Sequence, residues 1–294
     1  MNLFDLKDTL TALVNYALRL PALFRLVSDR YRRVPPIKGL TPVSFACEAP
    51  TALGLTVAAA GDVLVQTSIL RHPQTVASGF ASLFASVAGV AGAADLSVVN
   101  FEGVVDSIKP SGFGAYAYPP ALVTALKEAG FDVLQLGNNH ALDRGPNGVD
   151  ETIRTVEEAG MGAVGTKTQR DADRPWYTLS TVQKAGRAYT IAWLACTFGV
   201  NRHKDPHRQT WRCYRDKVEI LEQVSALAKM QTVHAVIVLP HWGWEYNHRP
   251  MPLRPPLMPI TISSTCSICS PGKIYSLPGL SFGIGRAHNR KTTN

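Results

Sequence analysis

From residue 53 onward, short apolar runs of strand length alternate with longer segments in which apolar residues recur at helical spacing. Such alternation is typical of an α/β sheet whose strands are joined by crossover helices. The apolar runs predict strands at residues 53–60, 96–100, 131–136, 162–165, 177–182, 189–196 and 234–240. The helical spacing predicts helices at residues 76–92, 120–129, 146–159 and 216–229.

The N-terminal part of the chain has a different pattern. Leucine and alanine recur at helical spacing over residues 2–20, which predicts an amphipathic helix that ends before Pro21. Arginines interrupt the apolar stretch of residues 11–27, whereas a spanning helix needs about 20 mainly apolar residues. We therefore expect this helix to pack on the protein or lie on a membrane surface, with the chain cytoplasmic or peripheral to a membrane rather than spanning it.

The C-terminal part also departs from the central pattern. Residues 246–294 contain seven prolines, no acidic residue and a Ser/Thr/Cys-rich run at 261–270. This composition lacks amphipathic periodicity, so we expect an irregular tail, with the closing helix and strands of the domain absent. A deletion or frameshift is the favoured interpretation, and a genuinely divergent ending is the alternative. The strand at 234–240 would then keep an unpaired edge, which promotes association.

These patterns divide the chain into an N-terminal helix and linker (1–50), an α/β domain (51–247) and a basic tail (248–294). The formal net charge of +8 is carried by the two ends, and residues 41–245 are slightly acidic. A nucleic-acid groove needs basic side chains clustered on a folded face, so no nucleic-acid partner is expected. Five scattered cysteines indicate no disulfide framework, and they leave the redox compartment open.

Polar residues capable of chemistry follow four of the predicted strands. Asp62 follows the first strand, Asn100 and Glu102 the second, Asn138 to His140 the third, and His241 the last. Ligands of open α/β sheets bind beyond the carboxyl ends of the strands, so these groups are expected to converge. Any one of them alone is better explained as a turn residue, a helix cap or a core histidine.

The residue types suit a metal centre. Carboxylates, an amide oxygen and an imidazole are ligands of Mn²⁺, Zn²⁺ or Fe²⁺, with Mg²⁺ possible at an oxygen-rich position. Bound metals lower the pKa of water and clamp a phosphoryl group for in-line attack. His140 would then act as a nearby acid, and Asp143, three residues later, would bond its second ring nitrogen and orient it.

Four segments resemble the CapA family of capsule or poly-γ-glutamate biosynthesis proteins. They are GDVLVQ at 61–66, ADLSVVNFEG at 94–103, FDVLQLGNNHALDRGPNGVDETIRTVEEAGMGAVG at 131–165, and VIVLPHWGWEY at 236–246. The resemblance spans roughly residues 55–247, and its long central block is the specific part. It implies an α/β, metallophosphoesterase-like sandwich with a β-sheet core flanked by helices, here incomplete at the C-terminal end.

The resemblance also assigns roles to residues. It implies that Asp62, Glu102, Asn139 and His241 are metal ligands and that His140 belongs to the family's Asn-His pair. It further implies a role in making or exporting an anionic cell-surface polymer. The expected partners are that polymer or its precursor, together with membrane-associated biosynthesis proteins.

Two departures from the family pattern leave other functions open. Leu64 stands where metallophosphoesterases at large carry a histidine, and the late Gly-His-x-His turn is absent. The only later histidines are His248 and His288, neither in a suitable context. A metal-dependent hydrolase-like enzyme is the first hypothesis. A non-catalytic subunit that binds polymer or partner proteins is the second, and an inactive truncated product is the third.

The Gly/aromatic segment at 112–118, GFGAYAY, follows the Glu102 turn. We expect it to be a surface loop, serving either as a mobile lid or stacking surface or as a plain connection.

Overall fold

A computed structural model describes residues 55–72, 79–171 and 173–242, and the backbone of 273–276. The chain divides into two compact units, Met1–Ala46 and Cys47–Asn294, and all of the described residues belong to the second. The predicted N-terminal helix, its linker and nearly all of the tail, with His248 and His288, lie outside the described residues. In the described part of the chain, none of the helices combines the length and apolarity that crossing a bilayer requires.

The secondary-structure elements follow one another in the alternating order that the sequence predicts. The helices are α1 (Thr67–Leu70), α2 (Ala81–Ala91), α3 (Pro120–Glu128), α4 (Gly145–Glu158) and α5 (Lys217–Lys229). The strands are β1 (Val57–Val63), β2 (Leu96–Phe101), β3 (Val104–Val105), β4 (Ala117–Tyr118), β5 (Val133–Gln135), β6 (Gly162–Val164), β7 (Tyr177–Lys184), β8 (Arg187–Thr197), β9 (Ala235–His241) and β10 (Lys273–Ser276). Each strand and helix predicted between residues 53 and 240 is present, and the α/β class is confirmed.

The strands form two four-stranded sheets and one small two-stranded sheet. The first sheet has the order β1-β2-β5-β6 and is parallel throughout. The second has the order β10-β9-β8-β7, in which β7 and β8 are antiparallel. Ala185 and Gly186 join these two strands with positive φ at both positions, as a tight hairpin turn requires. The apolar run at 53–60 is typical of a buried strand, but β1 is an edge strand and its Ala59 and Ala60 are exposed.

The two large sheets pack face to face, and helices cover their outer faces. Alternate side chains of both sheets meet in one apolar layer, which includes Val98, Val133, Val164, Ile191, Trp193 and Ile237. The opposite face of the first sheet packs on α3 and α4 through Val99, Phe101, Leu134, Leu126 and Ile153. The outer face of the second sheet packs on α5 through Leu194, Val236, Ile220 and Leu227. The fold is therefore a β-sandwich core flanked by helices.

The edge of the second sheet next to β9 is paired. β10 runs parallel to β9, with Lys273 opposite Ala235 and Ser276 opposite Val238. The expectation of an unpaired edge is therefore wrong. The run KIYS combines β-branched and aromatic residues, which suit a strand, and four residues are enough to pair even inside a tail without longer periodicity.

A disulfide bond joins Cys196 at the end of β8 to Cys213, 17 residues further on. The sequence indicated no disulfide framework and left the redox compartment open, so this pair was not predicted. Its basis is a tertiary contact, since Thr197 donates its backbone N–H to Trp211 O (2.8 Å) and accepts one from Cys213 (2.9 Å). These hydrogen bonds bring the two Cα atoms to 5.1 Å, within the range that a disulfide spans.

Asp95, at the turn before β2, links both large sheets. Its Oδ2 accepts hydrogen bonds from Thr56 N (2.6 Å), Thr56 Oγ1 (2.8 Å) and Lys184 Nζ (2.7 Å), the last on β7. Partial burial disfavours the charged form of Asp95, but the bonds from Lys184 and Thr56 outweigh it and lower the pKa below 3.8. The ionised carboxylate therefore stabilises the fold.

We expect Asp95→Asn to lower the free energy of unfolding by about 1 kcal/mol at pH 7, because charge-assisted hydrogen bonds are lost at a partly solvated position. A depressed folded-state pKa adds stability above the unfolded pKa, and this stability is lost as pH falls through the folded value. The difference between wild type and variant should therefore shrink below about pH 4 in urea unfolding experiments. Lys184→Met, which removes only the ion pair, should cost less. A difference that stays constant down to about pH 2 would contradict this account.

Candidate active site

The carboxyl ends of strands from both large sheets meet in one polar cluster. Asn100, near the end of β2, lies at its centre: its Nδ2 donates to Asp62 Oδ1 on β1 (2.7 Å) and lies 3.3 Å from His241 Nδ1 on β9. Asn138, after β5, donates to Asn100 Oδ1 (3.1 Å) and to Phe101 O (2.8 Å). The predicted convergence of strand ends is present, although the central role of Asn100 was not predicted.

A bulge in β1 aims Asp62 at this cluster. The register of β1 against β2 shifts between Ala60 and Asp62, so that Asp62 lies opposite Asn100. Bulges turn a strand locally and are common beside active sites. Leu64, two residues later, packs against the apolar core under the first sheet. At the position where metallophosphoesterases at large carry a histidine, this chain therefore has a leucine that packs in the core.

Glu102 is held by a sharp turn at the end of β2. Gly103 has φ of +143°, and a Cβ there would lie 2.7 Å from the Tyr118 ring, so only glycine fits. The Tyr118 hydroxyl donates to Glu102 O (2.8 Å) and accepts from Val65 N (3.1 Å). Burial raises the pKa of Tyr118 well above 10, and the nearby Glu102 carboxylate adds to this rise, while the hydrogen bond from Val65 opposes it. The hydroxyl therefore keeps its proton and remains a donor.

The Glu102 carboxylate faces both histidines of the predicted site. Its Oε1 lies 3.8 Å from His241 Nε2 and 4.0 Å from His140 Nε2. His241 Nε2 also contacts Asn139 Oδ1 at 2.9 Å. Burial lowers the pKa of His241, with the carboxylate of Asp62 opposing that shift and His140 adding to it. The ring is therefore neutral at pH 7, which is the form that binds metals.

His140 is oriented by Asp143, the contact that the sequence predicts. His140 Nδ1 lies 2.7 Å from Asp143 Oδ2, and the same oxygen accepts the backbone N–H of Tyr116 (2.6 Å). The Tyr116 ring packs edge-on against the imidazole, with ring centroids 4.7 Å apart. Since a carboxylate only accepts, Nδ1 carries the proton and Nε2 faces the polar cluster. The acid role of His140 stays a prediction.

The segment 112–118 is part of this support and not a surface loop. Tyr116, Ala117 and Tyr118 are buried, and the last two form β4. Only its first half reaches solvent, where Phe113 is exposed. The expectation of a surface loop is therefore wrong for residues 116–118, whose tyrosine rings contact residues distant in the sequence, and holds only for the exposed turn at 113–114.

The loop after β8 contributes two residues that were not predicted. The Asn201 side chain lies 3.4 Å from Asn139 Nδ2 and 3.5 Å from His140 Nδ1. His203 Nε2 lies 3.2 Å from Asp143 Oδ1. The available signal was their position just after a strand, the same criterion that identified the other four strand ends.

The donor set fits a divalent metal by chemistry, and in the structure its members bond one another. Within residues 55–72, 79–171 and 173–242, no three His, Cys, Asp or Glu side chains are arranged as a metal site. The reason is visible in the contacts, because Asn100 bridges Asp62 and His241, and Asn139 pairs with His241. Two carboxylates, an amide oxygen and a neutral imidazole nonetheless match Mn²⁺, Zn²⁺ or Fe²⁺. The assignment of these residues as ligands stays a prediction.

The fold and the site together define a class of protein. Two sheets packed face to face, helices outside, and carboxylate, amide and imidazole groups at the strand ends make this a metallophosphoesterase-like domain. The family model of the bacterial capsule synthesis protein PGA_cap matches residues 56–258, well over half of the chain. The chain belongs to this capsule synthesis family, the CapA family, as the sequence motifs indicated.

Individual relatives cover the chain in part. The capsule biosynthesis protein CapA of Bacillus anthracis is 32% identical over 134 residues, 44% of this chain and 31% of that protein. The uncharacterized protein y4sH of Sinorhizobium fredii is 31% identical over 151 residues, 49% of this chain and 30% of that protein. The matches thus span about a third of these curated relatives. A hypothetical protein from Thermus thermophilus superimposes with a TM-score of 0.35 and 16% identity, covering 64% of this chain and 57% of that chain.

Proposed function

We propose that this CapA-family chain is a metal-dependent, hydrolase-like enzyme that acts on a phosphoester or polymer-linked substrate. The observation that carries the proposal is the convergence of Asp62, Glu102 and His241 from three strand ends, with the His140–Asp143 pair beside them. Titratable groups of opposite roles gathered at strand ends are typical of an active site.

Each side chain would have a defined task. A divalent ion, Mn²⁺, Zn²⁺, Fe²⁺ or Mg²⁺, would be held by Asp62, Glu102, Asn139 and His241. When bound, such an ion supplies Lewis acidity and activates water for attack on a phosphoryl group. Asn100 and Asn138 would support this arrangement, since Asn100 donates a hydrogen bond to Asp62 and Asn138 donates one to Asn100.

His140 would handle the proton of the leaving group. Asp143 fixes the ring through Nδ1, so that Nε2 faces the cluster, 4.0 Å from Glu102 Oε1. When the ring also carries a proton on Nε2, as the imidazolium paired with the Asp143 carboxylate, it can donate that proton to a leaving oxygen without rotating and is left with the Nδ1 proton. Because Asp143 is itself buried and held by the Tyr116 N–H, the pair is pre-organised before substrate arrives.

The substrate and partners follow from the family. The related Bacillus anthracis protein carries the name capsule biosynthesis protein CapA. We therefore propose an anionic surface polymer such as poly-γ-glutamate, or its precursor, as the molecule acted on, and membrane-associated biosynthesis proteins as partners.

A metal-reconstitution experiment tests the catalytic proposal. The chelator-treated full chain is titrated in separate samples with Mn²⁺, Zn²⁺, Fe²⁺ and Mg²⁺, and hydrolysis of bis-p-nitrophenyl phosphate and p-nitrophenyl phosphate is followed. We expect Asp62→Asn and His241→Gln each to weaken Mn²⁺ binding at least about tenfold, since even indirect supports of a metal site contribute that much. Glu222→Gln, on the exposed face of α5, is the matched control and should bind like wild type.

The same experiment separates the competing functions. Metal binding with hydrolysis that both site variants lose supports an enzyme. A folded wild-type chain that binds none of the four metals and hydrolyses neither substrate overturns the proposal. That result would favour a non-catalytic subunit that binds polymer or partner proteins, or an inactive product.

A further inference from the structure

The Asp143 carboxylate is shared between two histidines. Its Oδ2 accepts from His140 Nδ1 and from the Tyr116 backbone, while its Oδ1 lies 3.2 Å from His203 Nε2. The Asp143 side chain is only 1% exposed, whereas that of His203 is 40% exposed. His203 therefore closes the solvent side of a buried carboxylate whose other oxygen orients His140.

The position of His203 is set by an ordered loop. The loop leaves β8 at Thr197, is closed by the Cys196–Cys213 disulfide, and is anchored by Val200, which is buried in the core under the first sheet. His203 N donates to Val200 O at 3.0 Å, forming a turn that presents the imidazole to Asp143. His203 is thus held by packing and a covalent link that lie outside the metal-ligand set.

The contact between Asp143 and this second histidine is electrostatic. A buried carboxylate is costly unless each oxygen has a donor. Oδ2 has two donors on the protein interior side, and His203 brings a ring nitrogen to Oδ1 from the solvent side. Without that contact only Oδ2 is held by the protein, so we expect the carboxylate to turn more easily and to orient His140 less firmly.

We propose that His203 is a positioning residue, which holds the Asp143 carboxylate in the orientation that fixes His140. The inference rests on the proposed function for the role of His140. It adds a histidine from a loop after β8 to a site otherwise built from the ends of β1, β2, β5 and β9.

Two isosteric variants test it in the full chain. In His203→Gln the amide nitrogen takes the place of Nε2 and can still donate to Asp143, whereas in His203→Asn it takes the place of Nδ1 and cannot reach. We expect His203→Asn to lower kcat for bis-p-nitrophenyl phosphate about 10–100-fold with KM within about twofold, as for other supports of metal-site residues. His203→Gln should restore most of kcat.

A second measurement does not depend on activity. In the metal-free protein, the His140 Nδ1 proton bonded to Asp143 should give a downfield proton resonance, assigned by its loss in His140→Gln. Wild type and His203→Gln should share this resonance, and His203→Asn should shift or lose it. Should His203→Asn fail to fold, His203→Ser, which also lacks a donor within reach, is read in the same way.

The outcomes distinguish the two proposals. Absence of hydrolysis in wild type removes the proposed function but leaves the resonance to decide the role of His203. A resonance and a kcat that are unchanged in His203→Asn would overturn the positioning role. Equal losses in His203→Gln and His203→Asn would overturn it as well, because they would show that the bond from Nε2 is not what matters.

Discussion

Replacing His140 with Ala is expected to lower phosphoester hydrolysis about 10²–10⁴-fold while leaving bound metal in place, the range for loss of a positioned general acid. The reason is geometric. Nδ1 is held at 2.7 Å by Asp143, and Nε2 points at the cluster from 4.0 Å, too far from Glu102 for a hydrogen bond. The proposal therefore assigns His140 to the proton of the leaving group and leaves the four residues Asp62, Glu102, Asn139 and His241 to hold the metal.

The measurement combines kcat with metal content on the same preparation. His234→Ala is a suitable control, because His234 lies before β9, at the opposite end of the strand from His241, and its Nδ1 accepts the Thr190 N–H. It should retain metal and most of the activity. If His140→Ala loses its metal, His140 is a ligand and the acid role assigned to it is wrong.

Removing the Cys196–Cys213 disulfide is expected to lower the free energy of unfolding by about 3 kcal/mol, the value for a closed loop of about 15 residues. Both cysteines are buried, so Cys196→Ala/Cys213→Ala keeps the packing polarity and removes the link. The loop it closes carries Asn201 and His203, both of which reach the site. Lower kcat should therefore accompany the lost stability.

Urea unfolding of wild type and of this double variant, each with and without dithiothreitol, measures the effect. The reductant should destabilise wild type by about the same 3 kcal/mol and leave the double variant unchanged. Non-reducing peptide mapping should recover a peptide linked through these two cysteines from protein made in an oxidising environment. If dithiothreitol leaves the free energy of unfolding of wild type unchanged and no linked peptide is recovered, the disulfide bond is not formed.

Local patterns in the chain are sufficient for the elements and for most of the candidate site. Strand length, helical spacing and turn residues are properties of neighbouring amino acids, so each strand and helix predicted between residues 53 and 240 is present. The positions of Asp62, Glu102 and Asn139 follow equally, because the carboxyl ends of neighbouring parallel strands lie at one edge of a sheet. His241 ends β9 of the second sheet and joins them only through the packing of the two sheets. The pairing of His140 with Asp143 was within reach because the two are three residues apart.

Contacts between distant segments decide the rest. Asn100 bridges β1 and β9 across 38 and 141 residues, and His203 reaches Asp143 from the other sheet's loop. Contacts between distant segments also decide that Tyr116 is buried, that Cys196 pairs with Cys213, and that β10 covers the edge of β9. Periodicity reports which face of an element is apolar, but not which surface covers it. The packing of the two sheets on each other decides which surface covers each apolar face. It also forms the hydrogen-bond network that orients the predicted residues.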